Sequence, residues 1–134
     1  MPGHQLSDAA KALFDDKVFV TVATLLPHGR PHQSIMWAKR DGDDILLSTV
    51  EGRRKHLNLQ HDPRISVLAS PPDAPYSYVE VRGTAHMTTE GGRELIDELS
   101  RKYTGKEYTN DGPQDVRVVI RVTAEKVVDK LSGQ

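Results

Sequence analysis

Three consecutive cations, Arg53, Arg54 and Lys55, follow Gly52 and lead into a short helical pattern whose apolar residues are Leu57 and Leu59. Positive charge at a helix start opposes the macrodipole, which favours anions there, so these side chains gain nothing from their own helix. An external anion resolves the conflict, because the unpaired N–H groups of the first turn and the cationic side chains then address the same charge. Phosphate is the natural ligand class. A solvated surface turn is the alternative, and charge placement alone does not choose between the two. A second signal lies one strand earlier, where Met36-Trp37 falls within the stretch Pro31 to Trp37, directly before the strand that ends at Ser48-Thr49 and the cationic turn. Adjacent hairpin strands bring the two places together, which suits a planar ligand carrying a phosphate. Trp37, the only tryptophan, serves equally well as a core residue on sequence grounds.

Other chemistries find less support. His28 and His32 have a zinc-like spacing, but Gly29 and Pro31 lie between them and rule out the shared helical face it requires. His56 and His61 fall on different sides of a helix. The chain has no cysteine, hence no thiolate nucleophile, disulfide or cysteine metal site. No metal centre is expected, and the histidines read as surface residues. Ser34, Ser48 and Ser66 fall within strands rather than on a Gly-x-Ser-x-Gly elbow. The Walker loop and the Gly-x-Gly-x-x-Gly fingerprint are missing as well. Chemistry at a bound cofactor needs none of these groups, since the protein has only to hold the cofactor, orient its reactive atom and exclude water. No side chain is nominated as a catalytic group.

The elements that must position these residues read mainly as strands. Residues 1–134 suffice for one domain with its own core. Ser7 is an N-cap candidate for a helix over 7–16, with Ala9, Ala10, Leu13 and Phe14 at helical spacing. Strands are expected over 18–26, 32–39, 45–49, 64–69, 76–86 and 116–128, the first three joined by tight loops at Pro27 to Pro31 and Asp41 to Asp44. Gly83 marks a bulge or close backbone approach. A second amphipathic helix opens at Thr89 or Glu90, presents Leu95, Ile96, Leu99 and Tyr103, and ends at Gly105. Residues 104–115 are polar and read as a mobile loop.

Six strands without βαβ alternation predict a small antiparallel β-barrel with short helices. Its long strands would leave apolar edges unless the sheet closes or pairs with a second copy, so closure and a homodimer are expected. With 18 Lys and Arg against 19 Asp and Glu, and 5% aromatic residues, the chain has neither the basic groove nor the aromatic platforms of a nucleic-acid-binding barrel. The segment Met1 to Ser7 lacks the order of a secretory signal, and no apolar run is long enough to span a bilayer, so a soluble cytoplasmic protein with no membrane partner is expected.

Two motifs then carry a resemblance. A strand tryptophan, an Asp-Gly turn and Ser-Thr-x-x-Gly-Arg-x-Lys-x-x-Asn-Leu-x-x-Asp-Pro-Arg over 48–64 precede Pro-Tyr-x-Tyr-Val-Glu-Val-Arg-Gly over 75–83. This resembles the pyridoxamine-phosphate-oxidase-like split-barrel superfamily and, within it, the reductases that use the deazaflavin coenzyme F420. The resemblance covers residues 6–128. It implies a homodimer with cofactor sites at the subunit interface, a strand from Gln33 and Ser34 through Met36 and Trp37 lining the tricyclic ring, and Ser48 and Thr49 near its polar edge. It assigns Arg53 and Lys55 to the phosphate, turns Arg54 outward or toward an acidic tail, and allows Tyr78 a contact from the second subunit. Asn58, Leu59, Asp62, Pro63 and Arg64 are implied to shape the helix and the next strand. The implied activity is hydride transfer from reduced F420 to an electron-poor or unsaturated small molecule. FMN in the same fold is the alternative cofactor, and a split barrel that carries a flavin, deazaflavin or tetrapyrrole without turnover is the alternative function.

Overall fold

The computed structural model describes residues 5–131; the part of the N-terminal reading that falls on residues 1–4 lies outside them. Ser7 caps the first helix, α1 (Asp8–Asp15), its hydroxyl accepting from the Ala10 N–H at 3.0 Å. Its buried face, Ala10, Leu13 and Phe14, is the one the apolar spacing predicts. The strands are β1 (Val20–Leu25), β2 (Pro31–Met36), β3 (Lys39–Asp41), β4 (Asp44–Val50), β5 (Arg64–Ala69), β6 (Tyr78–Thr88) and β7 (Arg117–Lys130). They form one sheet in the order β2-β1-β5-β6-β7-β4-β3, with every pairing antiparallel.

That order requires curvature. β2 and β3 occupy opposite edges of the sheet, yet only Trp37 and Ala38 separate them in sequence. Three Cα–Cα steps span at most about 11 Å. The two edges must therefore meet, and the sheet curls into the split barrel expected from the sequence. The strand count differs: there are seven among the described residues, because the predicted strand 32–39 breaks at Trp37-Ala38. The break has a tertiary cause. Ala38 N–H donates to Tyr103 Oη at 3.1 Å, and Lys102 Nζ donates to the Ala38 carbonyl at 2.7 Å, so a distant helix satisfies the backbone that a strand partner otherwise would. Trp37 thus sits at the bend rather than in mid-strand.

The barrel interior is filled by residues two apart on each strand, among them Val20 and Val22, Ile45 and Leu47, Ile65 and Val67, Val79 and Val81, and Ile120 and Val122. α1 plugs one end of this core. Helix α3 (Gly92–Thr104) lies outside the barrel and covers β4 and β7. Its Leu95, Leu99 and Tyr103 bury Leu46, with Trp37 and Val119 packed alongside. β4 is therefore apolar on both faces, which explains its unbroken Ile45-Leu46-Leu47 run.

Two glycines permit close approach. A Cβ at Gly83 would lie 2.0 Å from the Thr123 carbonyl oxygen, beside a register shift between Arg82 and Gly83. One at Gly92 would lie 2.3 Å from the Arg117 carbonyl oxygen. Gly92 is thus what lets α3 start against β7. Among the described residues no helix is long and apolar enough to cross a membrane.

Candidate functional site

The cationic turn is built by backbone geometry. β4 ends at Val50, Gly52 adopts φ 89°, and Arg53 N–H donates back to the Val50 carbonyl at 3.1 Å. Helix α2 (Arg54–His61) then begins with Arg53 as its N-cap, without a side-chain cap and without an acidic residue in its first turn. The helix is anchored by polar groups: Asn58 Nδ2 donates to Thr24 Oγ1 at 3.0 Å, and His56 Nδ1 accepts from Gly52 N–H at 3.0 Å. His56 is buried, not a surface residue as its sequence context suggests, and it closes the turn that presents the cations. Leu59 enters the core, whereas Leu57 stays exposed.

The turn faces a cleft of about 320 Å³. Six of the ten residues singled out in the sequence line it: Met36, Trp37, Ser48, Thr49, Arg53 and Lys55. The other four lie elsewhere. Gln33 and Tyr78 line a hollow of about 390 Å³ on the outer face of the sheet, beside Leu68 and Glu80. Ser34 pairs in register with Val22 and is half-buried. Arg54 is exposed and outside the cleft lining.

Sequence reasoning missed Phe19, Ile35, Ile96, Tyr108 and Arg117, which complete the walls. Tyr108 was the one visible signal, an aromatic in an otherwise polar loop. That loop is not loose. Tyr108 N–H donates to Asp97 Oδ1 at 3.1 Å, its carbonyl accepts from Arg93, and Arg93 and Arg117 both reach Asp111. The Tyr108 ring stands over the Arg117 guanidinium, 4.8 Å from its centroid, and meets Trp37 edge-on at 6.2 Å. Trp37 stacks its other neighbour, Tyr103, at 5.3 Å and an 11° interplanar angle. It is both a packing residue and a cleft wall, so the two sequence readings of this residue are compatible.

Charge compensation separates the arginines. Arg40, Arg64, Arg82, Arg93, Arg101, Arg117 and Arg121 each pair with a carboxylate. Among the described residues no such ion pair involves Arg53 or Lys55. Lys55 is half-buried, and its pKa is lowered first by that burial and then by the charge of Arg53. Beside them the Thr49 hydroxyl is buried without a hydrogen-bond partner. Such a group is costly unless something binds it. Uncompensated cations, free first-turn N–H groups and an orphaned hydroxyl fit a phosphate, and the neighbouring Trp37 fits a planar ring. No cluster of three or more potential metal ligands occurs among the described residues.

The fold and the cleft together define a split barrel of the pyridoxamine-phosphate-oxidase-like type. The chain belongs to the pyridoxamine 5'-phosphate oxidase family, whose sequence profile matches residues 6–130. It is 36% identical over 64 residues to pyridoxine/pyridoxamine 5'-phosphate oxidase of Escherichia coli K12, an alignment covering 47% of this chain and 29% of that protein. The chain therefore matches under a third of the length of these curated relatives. A solved F420 reductase superposes with a TM-score of 0.80 at 25% identity, covering 92% of this chain and 98% of that one. A conserved hypothetical protein of Mycobacterium tuberculosis superposes with a TM-score of 0.75 at 27% identity, covering 95% and 86% respectively.

Proposed function

We propose that this protein is an F420H2-dependent oxidoreductase that reduces an electron-poor or unsaturated small organic molecule. The observation that carries the reading is the pair Arg53 and Lys55, which make no ion pair among the described residues, set beside the unpartnered Thr49 hydroxyl and the Trp37 ring. Arg53, Lys55 and the first turn of α2 hold the phosphate; Met36 and Trp37 contact the ring, and Ser48 and Thr49 meet its polar edge. When bound, the deazaflavin supplies a hydride, which adds to the electron-poor carbon while a solvent proton completes the reduction. The chain's own residues bind, orient and exclude water, and no side chain is required as nucleophile. The likeness to a solved F420 reductase over nearly its whole length supports this choice of cofactor.

The working form in this proposal is a homodimer. Phe19 and Ile35 are 62% and 66% exposed at the cleft rim, and Leu68 on β5 is exposed on the same face, in register with Ile35 through Thr21 of β1, while α3 packs mainly on β4 and β7. A second copy on that face brings the Gln33 and Tyr78 hollow toward the first copy's cofactor. The test is a fluorescence titration of the purified protein with F420 and with FMN. Saturable F420 binding with weak or no FMN binding is expected. Tight FMN binding and no F420 binding would transfer the reading to a flavin enzyme of the same fold, and F420 binding without reduction of any acceptor would make the protein a carrier.

A further inference from the structure

We propose that Arg117 is a positioning residue that makes Ser48 a hydrogen-bond donor toward the bound ring; this rests on the cofactor reading above. Ser48 lies on the outer face of β4, where it pairs with Val119, and Arg117 sits on the same face at the start of β7. The Arg117 side chain is almost completely buried. Its Nε and Nη2 donate to the two oxygens of Asp111 at 2.8 and 2.7 Å, and Nη1 reaches Ser48 Oγ at 3.3 Å.

The chemistry of the pair sets a direction. A guanidinium only donates, so Ser48 Oγ is the acceptor in that bond and its own proton must go elsewhere. Ser48 lines the cleft, and an acceptor atom on the ring edge is the partner its hydroxyl then addresses. A serine without such a neighbour is a free rotor that accepts or donates indifferently. Donation from the Ser48 hydroxyl, held in that direction by Arg117, favours whichever cofactor state carries more negative charge at that edge, the reduced one.

A structural ion pair would need Asp111 alone. The third arm, aimed at a hydroxyl of the cleft wall, is what a positioning role adds. The arrangement is also held on every side. Asp111 accepts a second cation, Arg93, at 3.3 Å; Arg93 and Asp97 grip the backbone of Tyr108, and the Tyr108 ring covers the Arg117 guanidinium. α3 abuts the Arg117 backbone at Gly92, where no Cβ fits. The guanidinium has little freedom to leave Ser48.

The test compares Ser48→Ala, Arg117→Met and the double variant, loaded with whichever of F420 or FMN the wild type binds. The midpoint potential and the visible absorption spectrum of the bound cofactor are read. Each single variant is expected to weaken the preference for the reduced over the oxidised form about tenfold, or about 30 mV lower for a two-electron couple. The same spectral shift should accompany each, and the double variant should move no further than either single one. A wild-type potential and spectrum in Arg117→Met, or additive shifts in the double variant, would overturn the inference while leaving the cofactor reading intact. A wild type that binds neither cofactor overturns both. Should Arg117→Met fail to fold because Asp111 is left buried with only the longer Arg93 contact, Arg117→Met/Asp111→Leu removes both charges and carries the same comparison.

Discussion

Arg53 and Lys55 on one wall of the cleft, and Arg117 on another, carry the same charge in opposite company. The first two stand at a helix start beside an orphaned hydroxyl and pair with no carboxylate among the described residues. The third is buried in a bidentate pair with Asp111 and shares that carboxylate with Arg93. A cation whose counter-charge is built into the chain organises the protein; one left without it is available to a ligand. The difference assigns Arg117 to architecture and orientation, and Arg53 with Lys55 to binding.

Substitutions can break that contrast from either side. The largest effect is expected for Arg117→Met, which leaves Asp111 in a buried site with only the longer Arg93 contact, at a cost of about 3–5 kcal/mol in unfolding free energy. Urea denaturation measures it, and Arg117→Met/Asp111→Leu should recover most of the loss. A loss under about 1 kcal/mol would mean that the pair does not hold the loop. Arg53→Ala and Lys55→Ala should instead leave urea stability nearly unchanged and weaken cofactor binding by about 1.5–3 kcal/mol for each charge-assisted bond removed. Unchanged affinity in both variants would remove the phosphate assignment.

Acid should act on the paired wall. The hydrogen bonds from Arg117 hold the Asp111 carboxyl below the usual carboxylate range, and those from Arg93, with the Tyr108 N–H, do the same for Asp97. Because the folded values lie below the unfolded ones, this stabilisation is complete above the unfolded pKa, about 3.9, and is lost as pH falls through the folded values. Urea midpoints followed from pH 5 to pH 2 should therefore drop, and Asp111→Asn should flatten the drop. The smallest effect belongs to Arg54→Ala, whose exposed side chain lies outside the cleft. Stability should change by less than about 0.5 kcal/mol, and the affinity for F420 by no more than about 1 kcal/mol, the worth of an exposed ion pair. A large loss there would extend the binding wall outward and blur the contrast.

Local features of the fold were legible because their causes are local. Ser7 caps α1 through a hydroxyl three residues from its partner, and Gly105 ends α3 with φ 81°. Gly83 marks the register shift that its position in a strand suggested. The break at Trp37-Ala38 was not legible, since Tyr103, 65 residues later, supplies the hydrogen bond that replaces a strand partner. Residues 104–115 looked mobile for the same reason. Their polar side chains read as solvated until Arg93, Asp97 and Arg117 are seen to bind them. His56 and Leu57 exchanged expected places, because the turn at Gly52 needed an acceptor and the helix needed only Leu59 in the core.

By itself the sequence determined the alternation that makes a closed antiparallel sheet, the positions of most turns, and a run of cations at a helix start. These follow from residue type and spacing over a few positions. Which cations stay unpaired was decided only by the tertiary structure. Ser48 and Arg117 are 69 residues apart and become neighbours only when β7 pairs with β4, and Trp37 becomes a cleft wall only when the two edges of the sheet meet. Charge compensation acts over a few ångströms, and the closure of the barrel sets which residues lie that close.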